Sequence, residues 1–199
     1  MSPAGTAALI EIARVFASMP RRPRRSILFV GVTGEEAGVV GSDFFVHNPP
    51  VPLKQIVANI NVDGIAATHP ALADVVAIGG DDSTLGTAVR LAAERVGLKL
   101  SPDPAPERLY YLIGDQYSFI KAGIPAVWTI SGDKSRDPAI DVAAFKKRWA
   151  SAIYHTPADD MAQDWNWTSA TVFTRVQFLI GYVVGNTTAR PSWTAGQTR

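Results

Sequence analysis

Short apolar runs alternate along this chain with stretches whose apolar residues recur every three or four positions. Thr6 to Met19 places Leu9, Ile12, Val15, Phe16 and Met19 at helical spacing, and Pro20 ends the pattern. Ile27 to Val32 (ILFVGV), Ile56 to Val62 (IVANINV), Val75 to Ile78 and Ala126 to Ile130 are brief runs that suit strands covered on both faces. Leu85, Val89, Ala92 and Val96 mark a second helix closed by Gly97. Val172, Val176, Leu179, Ile180 and Val183 mark a third near the C-terminus. Strands interleaved with helices predict an α/β fold in three layers, a central and largely parallel sheet flanked by helices.

The connections read as loops. Ser101 to Pro106 is Pro-rich, and Ser131 to Asp141 is rich in Gly, Asp and Pro. Neither joins a second core, so residues 1–190 are expected to form a single domain, with 191–199 a tail that frays or packs loosely over the surface. The basic cluster Arg21-Arg22-Pro23-Arg24-Arg25 reads as a solvated connection between helix and strand.

Composition narrows the chemistry. At 199 residues, 47% hydrophobic and 19% charged, the chain can bury a sizeable core, and it is not of disordered type. A net charge of +1 gives no bulk electrostatic case for nucleic acid or an anionic membrane. No apolar run reaches the ~20 residues of a membrane-spanning helix. Cysteine is absent, which removes disulfides, thiolate catalysis and thiolate metal sites and leaves His, Asp and Glu as candidate ligands.

Ligands of open α/β sheets bind beyond the carboxyl ends of the strands. After ILFVGVT comes Gly34-Glu35-Glu36-Ala37-Gly38, and after IVANINV comes Asp63-Gly64. Adjacent glutamates there can divide metal-assisted hydrolysis, one holding a metal and the other taking a proton from the attacking water. Taken alone, GEE reads as the acidic first turn of a helix, Asp63 as a turn or N-cap aspartate, and His155 as a surface residue of the loop YHTPADD. Together they form the imidazole-and-carboxylate set that suits zinc. Gly38 and Gly41 fit close helix–sheet packing. His47 and His69 read as solvated loop residues, and Asp81 and Asp82 as N-caps of the helix that follows them.

The segment Ile27–Phe45, ILFVGVTGEEAGVVGSDFF, resembles the signature of the co-catalytic di-zinc aminopeptidases. That superfamily includes bacterial leucyl aminopeptidases, glutamate carboxypeptidase II and the transferrin receptor ectodomain. Asn59–Asp63, Tyr154–Asp160, Asp115–Pro125 and Asp164-Trp165 are similar to further family segments in the same order. The resemblance implies Glu35 as general base and Glu36, Asp63 and His155 as zinc ligands, in an enzyme that removes N-terminal residues from peptide or aminoacyl substrates with two zinc ions. Asp115 is implied as an outer hydrogen-bond acceptor.

Two departures qualify it. The family's His-x-Asp pair and bridging Asp have no counterpart, because the bridging position falls on Met1. The expectation is therefore an N-terminally truncated form lacking the first strands of the sheet, with weak or partial zinc occupancy and no useful activity alone. Such a form is also expected to self-associate through an exposed sheet edge. The second departure is Gly114-Asp115-Gln116, where relatives read Ser-Asp-His. Two alternatives share the fold: a non-catalytic binding domain, and a single-zinc aminoacyl-cyclising transferase. Nothing in the chain fixes its location; the resemblance is compatible with an extracytoplasmic or secreted protein.

Overall fold

The computed structural model describes residues 3–194. Helix α1 (Pro3–Ser18) opens on a proline, whose missing N–H costs nothing in the first turn of a helix. It buries Ala8, Ile12 and Phe16 along one stripe. Phe16 packs against Phe29 and Phe178, with ring centroids 6.1 and 4.6 Å away, so this helix covers both the ILFVGV segment and the last helix.

Four strands follow: β1 (Asn59–Asn61), β2 (Asp74–Ile78), β3 (Lys99–Ser101) and β4 (Ala126–Ser131). Their order in the sheet is β1-β4-β2-β3. The pairs β1/β4 and β2/β3 are parallel, and β2/β4 is antiparallel, with Val76 opposite Ile130. The mostly parallel sheet expected from the sequence is present. Around it lie α2 (Val40–His47), α3 (Leu85–Arg95), α4 (Tyr110–Ile113), α5 (Gln116–Lys121), α6 (Val142–Ala152) and α7 (Trp167–Asn186).

Strand β4 shows why there are three layers. Successive side chains of a strand point to opposite faces. Val127 enters a core with Leu85, Val89, Phe173, Val176 and Ile180 from α3 and α7. Ala126 enters a second core with Val46 of α2 and Phe119 and Ile120 of α5. Helices therefore cover the sheet on both sides.

Several local expectations are corrected. The ILFVGV run pairs in none of the strand ladders of the described residues, and its residues are half-buried except Leu28 and Gly31, which are exposed. The IVANINV run is a strand only over Asn59–Asn61. Arg25 is more than a solvated charge, since its guanidinium donates to the carbonyls of Val184, Thr187, Thr188 and Ala189 and so caps the C-terminal end of α7. His69 is buried, 3% exposed, with Lys146, Asp74 and Asp133 as charged neighbours. The N-cap of α3 is Thr84, not Asp81 or Asp82, whose backbone carbonyls instead accept from Thr194. In the tail, Trp193 bridges to Ser83 and its indole donates to Gly123, so residues 191–194 are fastened rather than loose. Residues 195–199 lie outside the described part.

Candidate metal and proton-transfer site

Glu35 and Glu36 lie in a turn between the ILFVGV segment and α2, not in the first turn of the helix. Gly34 and Gly38 bracket this turn with φ of 72° and 94°, values that glycine adopts without strain. Gly41 brings α2 close behind: a Cβ there would overlap the carbonyl oxygen of Thr33 and stand 2.6 Å from its nitrogen. The close packing expected at Gly41 is present. At Gly38 nothing lies within 4 Å of such a Cβ, so that glycine serves backbone conformation instead.

Asp63 follows β1 beyond its last paired residue. Gly5 in the first turns of α1 rests on the same stretch, since a Cβ there would stand 2.6 Å from the Val62 carbonyl. Trp128 of β4 donates its indole N–H to the Asp63 carbonyl at 3.4 Å.

His155 comes from the loop after α6. Its φ of 58° turns the imidazole back over Tyr154, with ring centroids 3.8 Å apart. Tyr154 in turn packs on Trp149 of α6 at 5.3 Å, and Trp149 is fixed by a 2.8 Å hydrogen bond from its indole to Gln163. At the end of this stack the His155 Nε2 stands 2.9 Å from the Glu36 Oε1. Two residues more than a hundred positions apart, picked out separately in the sequence, are in direct contact.

The electrostatics tie the remaining acids to this pair. Burial pushes the Glu35 carboxyl above its ordinary range, and the charges of Glu36, Asp63 and Asp115 push it further. Asp63 is raised likewise, first by burial, then by Asp115 and Glu36. The Tyr154 hydroxyl is raised by burial and by Glu36, Asp63 and Glu35. Asp115, expected as an outer acceptor, has a buried Oδ1 with no hydrogen-bond partner. The charges of Glu36, Asp63 and Asp115 thus oppose the ionisation of Glu35, and those of Asp115 and Glu36 oppose that of Asp63, a field that a cation would relieve.

The donor types fit zinc, which takes imidazole nitrogen and carboxylate oxygen. Their number falls short. Among the described residues no three His, Asp or Glu side chains are gathered as ligands of one ion, against the three of a catalytic zinc site. Nor is this an enclosed cavity. A cleft of about 390 Å³ lies behind the stack, between Phe145, Trp149, Ile153 and Gln163, and none of the four acids lines it.

Three neighbours carried no separate signal in the sequence, Tyr154, Trp149 and Trp128, and Gln116 stood out only as a departure from the resembled pattern. Tyr154 and Gln116 fell inside motif segments, but what they touch depends on tertiary packing. His47 is exposed, as expected, but it ends helix α2 rather than lying in a loop, one turn beyond its neighbour Asp43.

A family model described as peptidase family M28 matches residues 2–180. Solved structures similar to this chain include a zinc aminopeptidase from Bacillus subtilis, at 23% identity and a TM-score of 0.66 over 94% of this chain and 42% of that one. An aminopeptidase from Aneurinibacillus sp. strain AM-1 is 20% identical with a TM-score of 0.62, over 89% of this chain and 38% of that one. The LapA aminopeptidase of Legionella pneumophila is 18% identical with a TM-score of 0.66, over 94% and 47%. Among curated protein sequences none matches. The chain spans less than half the length of these solved structures, and at such identities the likeness establishes the fold.

Proposed function

The chain belongs to peptidase family M28, and from that premise we propose that it carries proton-handling and metal-holding groups of a zinc-dependent aminopeptidase. The 2.9 Å approach of His155 to Glu36, with Asp63 and Glu35 in the same field, is the observation that carries this reading. Glu36 and His155 would hold one zinc and Asp63 the other, so that no single ion has three ligands from the described residues. The metal, when bound, supplies Lewis acidity to a hydrolysis.

Glu35 is the proton carrier. Burial, the first cause of its raised affinity for protons, suits a group that accepts one from water and returns it to a leaving amine. The acidic field of Glu35, Asp63 and Asp115 also suits the free ammonium of a peptide or aminoacyl substrate, which accords with cleavage at chain ends. With only these ligands, the chain alone binds zinc weakly and turns over substrate at negligible rates. A pair of dications ~3.5–4 Å apart requires more negative charge than they provide.

The ligand shortfall favours a second reading, a non-catalytic domain that uses the fold for recognition. One experiment separates the two. The purified chain is dialysed against zinc, its metal content is measured, and a panel of aminoacyl arylamides is assayed. The expected result is substoichiometric zinc that disappears in Glu36→Gln and His155→Ala, with no turnover above background. Zinc retention indifferent to both substitutions would sink the metal assignment and leave the recognition reading. Two firmly held ions with rapid turnover would overturn the inactivity.

A further inference from the structure

We propose that Gln116 is a positioning residue of this site, an amide strut that fixes the backbone bearing Asp63. Gln116 is fully buried at 0% exposure, where an unpaired amide would cost stability. Its Nε2 donates to the backbone carbonyl of Tyr110 at 2.8 Å, and its Oε1 accepts from the Asn61 Nδ2 at 2.8 Å. The assignment of nitrogen and oxygen follows from chemistry, because the Tyr110 carbonyl can only accept.

Both contacts lead to Asp63. Asn61 ends β1 two residues before it. Tyr110 presses edge-on against Trp128, with centroids 5.7 Å apart and rings at 84°, and the Trp128 indole holds the Asp63 carbonyl. One side chain therefore braces the acid's backbone from the strand side and from the indole side. The chain has also made room for it. A Cβ on Gly114 would overlap the Gln116 Oε1 and stand 2.9 Å from its Nε2, so Gly114 and Gln116 act as a pair. A neutral amide does not titrate, so the strut holds at any pH at which the protein is folded.

The zinc readout of this proposal rests on the metal reading above; its second readout does not. In the full chain, Gln116→Leu is expected to speed hydrogen exchange of the Trp128 indole N–H at least about tenfold and to weaken zinc binding by about 10–100-fold, as loss of an outer-shell partner does. Gly114→Ala should reproduce both effects, and the double variant should be no worse than Gln116→Leu. Gln116→His offers one donor and one acceptor while neutral, so it should restore both readouts near pH 8. Below about pH 6.5 its protonation should make zinc affinity and indole protection fall more steeply than in the wild type.

A folded Gln116→Leu chain with wild-type exchange, or additive losses in the double variant, would refute the strut. If Gln116→Leu does not fold, the Gln116→His pH series decides, and a profile parallel to wild type refutes it. If the wild-type chain retains no zinc, the metal reading fails while indole exchange still decides Gln116.

Discussion

Asp63 and Asp115 stand on one side of the site among a buried amide, an indole and the end of β1, whereas Glu36 and His155 meet on the other side with 71% and 54% of their side chains exposed. The inner side is held by part-buried hydrogen bonds around the fully buried Gln116. The outer side is held by the 2.9 Å contact of His155 with Glu36 and an aromatic stack, on two irregular segments. An exposed pair of that kind contributes about 0–1 kcal/mol. On the metal reading proposed above, the inner half would be organised before any cation arrives, and the outer half would take its final order from one.

The largest effect that could break this contrast is ligand stabilisation. Zinc at about one hundred times its dissociation constant should stabilise the chain by about 2.7 kcal/mol. Hydrogen exchange should slow chiefly at residues 34–39 and 153–160 and little around Asn61. Protection gained equally on both sides would remove the distinction.

Next in size is Asn61→Leu, which takes the donor from the buried Gln116 oxygen. It should cost about 1–3 kcal/mol in urea denaturation. A neutral result would mean that the inner half is not braced as described.

The pH dependence is smaller and has a definite sign. Glu35 and Asp63 bind protons more tightly folded than unfolded. Just above the ordinary carboxylate range the unfolded chain therefore holds fewer protons, and metal-free stability falls as pH rises through that window. His69 works the other way: burial and Lys146 lower its pKa, so its contribution is lost as pH falls below about 6.5. Comparing wild type with Asp63→Asn isolates the carboxylate part, and the fall with rising pH should flatten in the variant. The smallest effect is Glu36→Gln, which should move metal-free stability by no more than about 0.5 kcal/mol while abolishing zinc retention.

The same contrast marks what could be read in the sequence. β2, β4, α3 and α7 were legible because continuous runs and helical spacing persist over them. β3 was not, since Lys99–Ser101 is short and polar and is a strand only because it pairs with Asp74–Val76. ILFVGV had the composition of a strand but enters no ladder among the described residues, a matter of partners rather than propensity. Glu35, Glu36, Asp63 and His155 could be singled out only as a set and by the resemblance, because each alone reads as a turn, cap or surface residue. Gln116 and Trp149 could not be assigned their contacts, since a buried amide or a stacking indole is defined by neighbours that the chain order conceals. His69 misled for the same reason: beside a proline it looked solvated, and it is buried.

The Arg25 guanidinium, gripping carbonyls at the end of α7, joins positions 159 residues apart at its contact with Val184. Closing so long a ring is entropically slow, so this clasp should be among the last contacts made in folding. Until it closes, α1 and the ILFVGV segment have no anchor on the final helix through Arg25. The turn bearing Glu35 and Glu36 follows directly from that segment, so the outer half of the site should mature only after the rest of the molecule has folded.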